Sequence, residues 1–230
     1  MTRMIEFFAY HVRRRLVAYR GRRDARLVRQ MNPGLPVCSR LLTECGEPLR
    51  PAHEDYTNRI SSPDMAASLE LASFLNALAE VRGPKRLLDL GSGFSSYVFR
   101  RWAAKAGVAV TVFSVDDDPV WLERTRSFLA EHHLDDDNLM VWTEFRDRKE
   151  EPFDFIFHDL GDMDLRAEGL PSVIRLMHSQ SVVILDDMHK PAYRESVARE
   201  VRRAALRLLS LRAYTLDSRG RFAEMMVRGS

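Results

Sequence analysis

Cysteine is scarce in this chain: Cys38 and Cys45 are the only two among 230 residues. That is too few for a disulfide framework, and no set of histidines lies near them in sequence to complete a zinc site. No apolar run reaches the length of a membrane span. The Arg-rich start is not followed by an apolar core and a small-residue cleavage site, so no secretory signal is expected and a reducing, cytoplasmic location is. A Gly-Lys-Ser/Thr triplet is missing, which excludes a phosphate-cradling P-loop. Internal repeats and low-complexity tracts are also absent. With 45% hydrophobic and 30% charged residues, the composition is globular, and the length suits one domain plus an extension.

Acidic residues are rare in the first thirty positions. Nine arginines stand there against Glu6 and Asp24, a formal charge of +7, which leaves −5 for the other 200 residues of a chain whose total is +2. The body is thus mildly acidic and does not read as a nucleic-acid-binding surface. Ile5, Phe8, Val12, Leu16 and Tyr19 form an apolar stripe at helical spacing. Such a helix packs on the body or on a second subunit; its basic face also suits an anionic membrane surface. Residues 31–60, with Pro33, Pro36, Pro48 and Pro51, read as an irregular connection.

Ser61-Ser62-Pro63-Asp64 reads as a helix start, with the helix running to Gly83-Pro84. Strands and helices then alternate. Strands are predicted at 86–90, 110–116, 139–143, 153–158 and 181–186, and helices near 95–106, 119–132, 168–178 and 192–209. Apolar strands such as Phe153–Phe157 and Ser181–Leu185 indicate an α/β architecture, a doubly wound, mostly parallel sheet covered on both faces. Residues 209–216 and 221–227, around Asp217-Ser-Arg-Gly220, read as an antiparallel hairpin that brings the sheet to seven strands.

Arg86-Leu-Leu-Asp-Leu-Gly-Ser-Gly-Phe94 is a buried strand turning on two glycines into a helix. Gly91 and Gly93 allow a sharp bend and close approach of a ligand to main-chain N–H groups. One strand later, Val110–Val115 ends in Asp116, placed to hold a nucleoside by its ribose hydroxyls. The dinucleotide fingerprint needs a third glycine; Ser96 stands there, which disfavours a nicotinamide cofactor. Asp89 is also suited to fix the turn without touching ligand, and Asp117 and Asp118 to cap the helix that opens at Pro119.

With these features the chain resembles the class I S-adenosylmethionine-dependent methyltransferases. Leu87–Gly93 is similar to their first motif, Val115-Asp116 to their second, and Phe153–Asp159 to the strand facing the reacting centre. The resemblance covers residues 61–230 and implies a Rossmann-like domain there, with residues 1–60 as a helical extension giving lid or homodimer contacts. It implies S-adenosylmethionine across the strand tips, with Asp89, Leu90, Gly91, Ser92 and Gly93 near the methionine part and Asp116 on the ribose. Asp117 is a further cofactor candidate, Asp159 another from the fourth strand, and Glu144 a positional one on the adenine side.

Asp159 follows the fourth strand, and Asp186 and Asp187 follow the fifth, so the three carboxylates converge at the sheet's carboxyl edge. Close carboxylates repel unless a proton or cation intervenes, and an all-oxygen donor set suits Mg²⁺. The pattern resembles the metal-dependent, catechol-type O-methyltransferases, which implies a divalent cation that lowers the pKa of a small-molecule hydroxyl and positions it. That family has a lysine three residues past the first metal aspartate; here it is Asp162, which leaves His189 or Lys190 to remove the proton, or the metal alone. Loop 160–168 and residues 188–193 are expected to shape the acceptor pocket. His158 alternates to the opposite strand face from Asp159 and reads as a core histidine. Two other functions stay open: a metal-independent methyltransferase on another small-molecule or protein acceptor, and a non-catalytic scaffold. The Asn/Asp-Pro-Pro-Tyr/Phe loop of base-amino methyltransferases is absent after the fourth strand, where the chain reads His-Asp-Leu-Gly.

Overall fold

The computed structural model describes residues 19–229; of the N-terminal stripe, Ile5, Phe8, Val12 and Leu16 lie outside them. Helix α1 is described from 19 to 31. It buries Gly21, Asp24, Ala25 and Val28 and exposes Arg22, Arg23, Arg26 and Arg29, an amphipathic helix laid on the body. Asp24 anchors it, accepting the Ser210 main-chain N–H at 3.1 Å.

Residues 31–60 correct the expectation of an irregular connection. They form α2 (Cys38–Leu41), a π-helical turn (Leu42–Gly46) and α3 (Arg50–Arg59). The prolines sit between these pieces or, as Pro51, in a first helical turn that needs no N–H. Helix α4 (Leu69–Arg82) also starts later than expected, with the Ser68 hydroxyl accepting Leu71 N–H. Its stop at left-handed Gly83 is as expected. Segment 62–67 stays outside the helix because Arg221 draws the carbonyls of Pro63, Asp64 and Ala66 onto its guanidinium.

From there the chain alternates. Its elements are β1 (Arg86–Leu90), α5 (Phe94–Ala103), β2 (Thr111–Asp116), α6 (Pro119–Glu131), β3 (Leu139–Val141), α7 (Trp142–Arg146), β4 (Phe153–His158), α8 (Met163–Arg175), β5 (Met177–Leu185), α9 (Pro191–Arg203), β6 (Leu206–Ser210), α10 (Arg212–Thr215) and β7 (Glu224–Arg228). The seven strands lie in the order β3-β2-β1-β4-β5-β7-β6, all parallel but β7, which runs antiparallel to β5 and β6. Alternate strand residues feed two cores. Leu87, Phe155, Phe157 and Ile184 pack with α4, α5 and the N-terminal helices; Leu88, Ile156, Val183 and Met226 pack with α8 and α9. This is the doubly wound sheet expected.

The terminal hairpin is corrected in its connection. Strand β6 ends at Ser210, and α10 and the Asp217–Gly220 turn intervene before β7. Helix α8 starts at Met163 on an Asp162 cap, so most of the expected loop 160–168 is helical. Chain direction reverses between β1→β2 and β1→β4, and ligands of such sheets bind at that switch point, beyond the strands' carboxyl ends.

Candidate active site

The β1–α5 turn is held from below. Asp89, fully buried, accepts the Ser96 hydroxyl at 2.5 Å and the Ser114 hydroxyl at 3.2 Å, while Ser96 Oγ accepts the Gly93 N–H at 3.2 Å. Burial pushes the Asp89 carboxyl up to about 6. Asp89 therefore fixes the turn, and its side chain, like that of fully buried Leu90, points away from the cavity and leaves only the main chain of the turn to face it. Ser96, which breaks the dinucleotide pattern, is the link between acid and turn.

Asp116 is held from the side. Its Oδ2 accepts the Ser92 N–H at 2.7 Å and the Ser92 hydroxyl at 2.9 Å; its Oδ1 accepts the Asp118 N–H at 3.0 Å. Oδ2 is thereby saturated, and Oδ1 keeps one acceptor position. Asp118 caps α6 through Val120 N–H as expected, and Asp117 is exposed on the cavity rim.

Above the turn lies a layer that sequence reasoning missed. Tyr56, from α3, is buried with its hydroxyl unpartnered, 3.0 Å from where a Cβ on Gly93 would stand. Trp121 Nε1–H donates to Ser92 O at 2.7 Å. With Met65, Ala66 and Ala67 they enclose a recess of about 30 Å³ over Gly91–Gly93. It adjoins a cavity of about 560 Å³ reaching across the tips of β2, β1, β4 and β5. Glu144 is exposed on α7 and is not among the residues that line this cavity.

Asp159, Asp186 and Asp187 do converge on this cavity, with His189 and Lys190 beside them. What lies among them is Arg166 of α8. Its Nη1 sits 2.5 Å from Asp159 Oδ1 and 3.2 Å from Asp187 Oδ2; Nη2 donates to the carbonyls of Asp159 (3.0 Å) and Gly161 (2.9 Å), and Nε to that of Leu160 (3.4 Å). Lys190 Nζ donates to the same Asp187 Oδ2 at 2.7 Å, and Asp186 Oδ1 accepts the Asp187 N–H at 2.6 Å. Burial, opposed by Arg166 and reinforced by the neighbouring acids, holds the Asp159 carboxyl above its ordinary range. Asp186 is raised by burial and by Asp187.

This donor set does not fit the expected Mg²⁺. Asp159 and Asp187 are committed to the internal cation, and among the described residues no group of three or more His, Cys, Asp or Glu is arranged to hold a metal ion. His158 is the core histidine expected: fully buried, its Nε2 pairs with Arg166 O at 2.9 Å, and burial lowers it to about 4.

The strand order and the reversed β7 make this the fold of the class I, S-adenosylmethionine-dependent methyltransferases, and solved structures share it. The O-methyltransferase TomG of Streptomyces achromogenes, in complex with SAM, is 22% identical over 81% of this chain and 90% of that one, with a TM-score of 0.55. An O-methyltransferase of Bacillus cereus, in complex with SAH, is 19% identical over 88% and 94%, with a TM-score of 0.57. The Podospora anserina methyltransferase PaMTH1, bound to SAH, is 16% identical over 96% of each chain, with a TM-score of 0.61. No protein-family profile and no curated protein sequence matches the chain.

Proposed function

We propose that this chain is a methyltransferase that moves the methyl group of S-adenosylmethionine to an oxygen of a small molecule. The observation that supports this most is a conjunction at the β1/β4 switch point. There the Gly91–Gly93 turn, Asp116 with an open acceptor position, and a recess ending on the unpartnered Tyr56 hydroxyl adjoin an acid-lined cavity. An unpartnered buried hydroxyl is costly unless a ligand completes it.

S-adenosylmethionine, when bound, supplies a methyl group on a positively charged sulfur. In this reading Asp116 Oδ1 and Asp117 accept from the ribose diol, and Tyr56 serves the methionine end. The carboxylates of the cavity favour a ligand carrying net positive charge. Trp121 and Met65 stand at the junction of recess and cavity, where the sulfonium end of the ligand would pass.

An acceptor hydroxyl must lose its proton as it attacks. Lys190 is committed to Asp187. His189 lines the same cavity with Nδ1 3.4 Å from Asp187 Oδ1 and without a hydrogen-bond partner. We assign proton removal to His189, which stands beside Asp187 with that nitrogen uncommitted. The oxygen acceptor is also supported by solved structures of this fold that are O-methyltransferases.

The test is acceptor-dependent formation of S-adenosylhomocysteine with a panel of phenols, diols, sugars and amines. Turnover on hydroxylated acceptors is expected; turnover confined to amines would sink the oxygen assignment.

A further inference from the structure

We infer that Arg166 takes the place of a divalent cation in the aspartate trio, so that the chain carries its own cation and its chemistry needs no added metal. The inference deepens the methyl-transfer reading and rests on it for the word chemistry; the exclusion of metal from the trio stands on geometry alone.

Three carboxylates at adjacent strand tips need a neutralising charge. Arg166 provides it from within the fold. It lies on the buried face of α8 with Leu170 and Val173, at helical spacing, and is 5% exposed. Each of its three guanidinium nitrogens is engaged, Nη1 by Asp159 and Asp187, Nη2 by the carbonyls of Asp159 and Gly161, and Nε by that of Leu160. The group therefore fastens the β4–α8 loop to the trio and has no donor left over for an acceptor molecule.

Asp187 is doubly committed, since Lys190 Nζ reaches the oxygen that Arg166 also holds. Its backbone is left-handed (φ 58), a conformation rare for a non-glycine residue. The Asp187 N–H on Asp186 Oδ1 and the Lys190 N–H on the Asp187 carbonyl hold it there. His158 holds the Arg166 main chain through its carbonyl oxygen. A metal ion entering the trio would have to expel a permanently charged, hydrogen-bonded guanidinium and leave it buried without partners, which opposes binding. Arg166 is thus a positioning residue. It sets the carboxylates of Asp159 and Asp187.

The experiment is Mn²⁺ uptake by the full chain, read by the electron paramagnetic resonance of free Mn²⁺, with S-adenosylhomocysteine titrated in parallel. The unaltered protein is expected to take up no stoichiometric Mn²⁺, and its S-adenosylhomocysteine affinity to be unchanged by chelator. Arg166→Ala is expected to gain one Mn²⁺ site, at least about tenfold tighter than anything in the parent, because three carboxylates lose their cation. Arg166→Lys, which keeps the charge, is expected to stay metal-free. Stoichiometric uptake by the parent that Asp159→Asn abolishes would overturn the inference, as would a folded Arg166→Ala without uptake. If Arg166→Ala does not fold, near-isosteric, neutral Arg166→Met makes the same comparison. Failure to bind S-adenosylhomocysteine would count against the methyltransferase reading alone and leave the metal result intact.

Discussion

Gly91 and Asp159 meet main chain to main chain: a Cβ on Gly91 would stand 2.4 Å from the Asp159 carbonyl oxygen. The Asp159 N–H donates to Leu90 O at 2.6 Å, so the tips of β1 and β4 are fastened together beside the cavity that Gly91 and Asp159 both line. Gly91 also has φ +97, which side-chain-bearing residues rarely adopt. Gly91→Ala is therefore expected to cost on the order of 3 kcal/mol of stability and to abolish S-adenosylhomocysteine binding. Denaturant unfolding and calorimetry measure both; a variant of parental stability would show that β4 yields there at no cost.

Tyr56→Phe separates ligand binding from folding. The hydroxyl it removes has no partner in the protein, so melting temperature is expected to stay level or rise. Affinity for S-adenosylhomocysteine is expected to fall about 3- to 10-fold, the effect of one neutral hydrogen bond. Unchanged affinity would remove Tyr56 from the cofactor site.

His189→Ala is expected to lower kcat by about 10²- to 10⁴-fold, the range for positioned acid–base groups, with S-adenosylhomocysteine affinity unchanged. Lys190→Met, which removes only a partner of Asp187, is expected to do less. A larger effect at Lys190 than at His189 would reverse the assignment.

Stability toward acid is expected to depend on His158. In the folded chain burial holds it at about 4 against an ordinary 6.5, so as pH falls below 6.5 the unfolded chain takes the proton first and the folded state loses stability down to about 4. The loss is on the order of 2 kcal/mol by pH 5. Asp89 opposes it: raised to about 6 from 3.8, it takes its proton first in the folded chain, and stability recovers as pH falls from 6 toward 3.8. The two separate when His158→Gln is compared with the parent. The variant's melting temperature is expected to gain on the parent's as pH falls from 7.5 to 5, and a constant gap would contradict the His158 contribution.

The parallel sheet, the glycine turn and Asp116 were legible because their signals are local: apolar runs of strand length, two glycines at a bend, an acid at a strand tip. Boundaries failed where local signals misled. Ala205 ends the helix before β6 with φ 54, a role glycine usually announces, so the helical signal of α9 runs on in the sequence to residue 209. Four prolines hid α3 and with it Tyr56, although Ala52 and Tyr56 share a face at helical spacing. The convergence of the three acids is legible in the sequence and their cation is not, because Arg166 stands 7 and 21 residues from its partners Asp159 and Asp187. One signal was available: Arg166 falls in line with Leu170 and Val173, a charged residue on an apolar helix face.

The most direct measurement of the central claim is calorimetric titration of S-adenosylhomocysteine into the chain and into Asp116→Ala, both in chelator. The expected result is one saturable site in the parent and an affinity about 10- to 100-fold weaker in the variant, the effect of losing a charged hydrogen-bond acceptor. No saturable binding in the parent, or equal affinity in the two, would contradict the account.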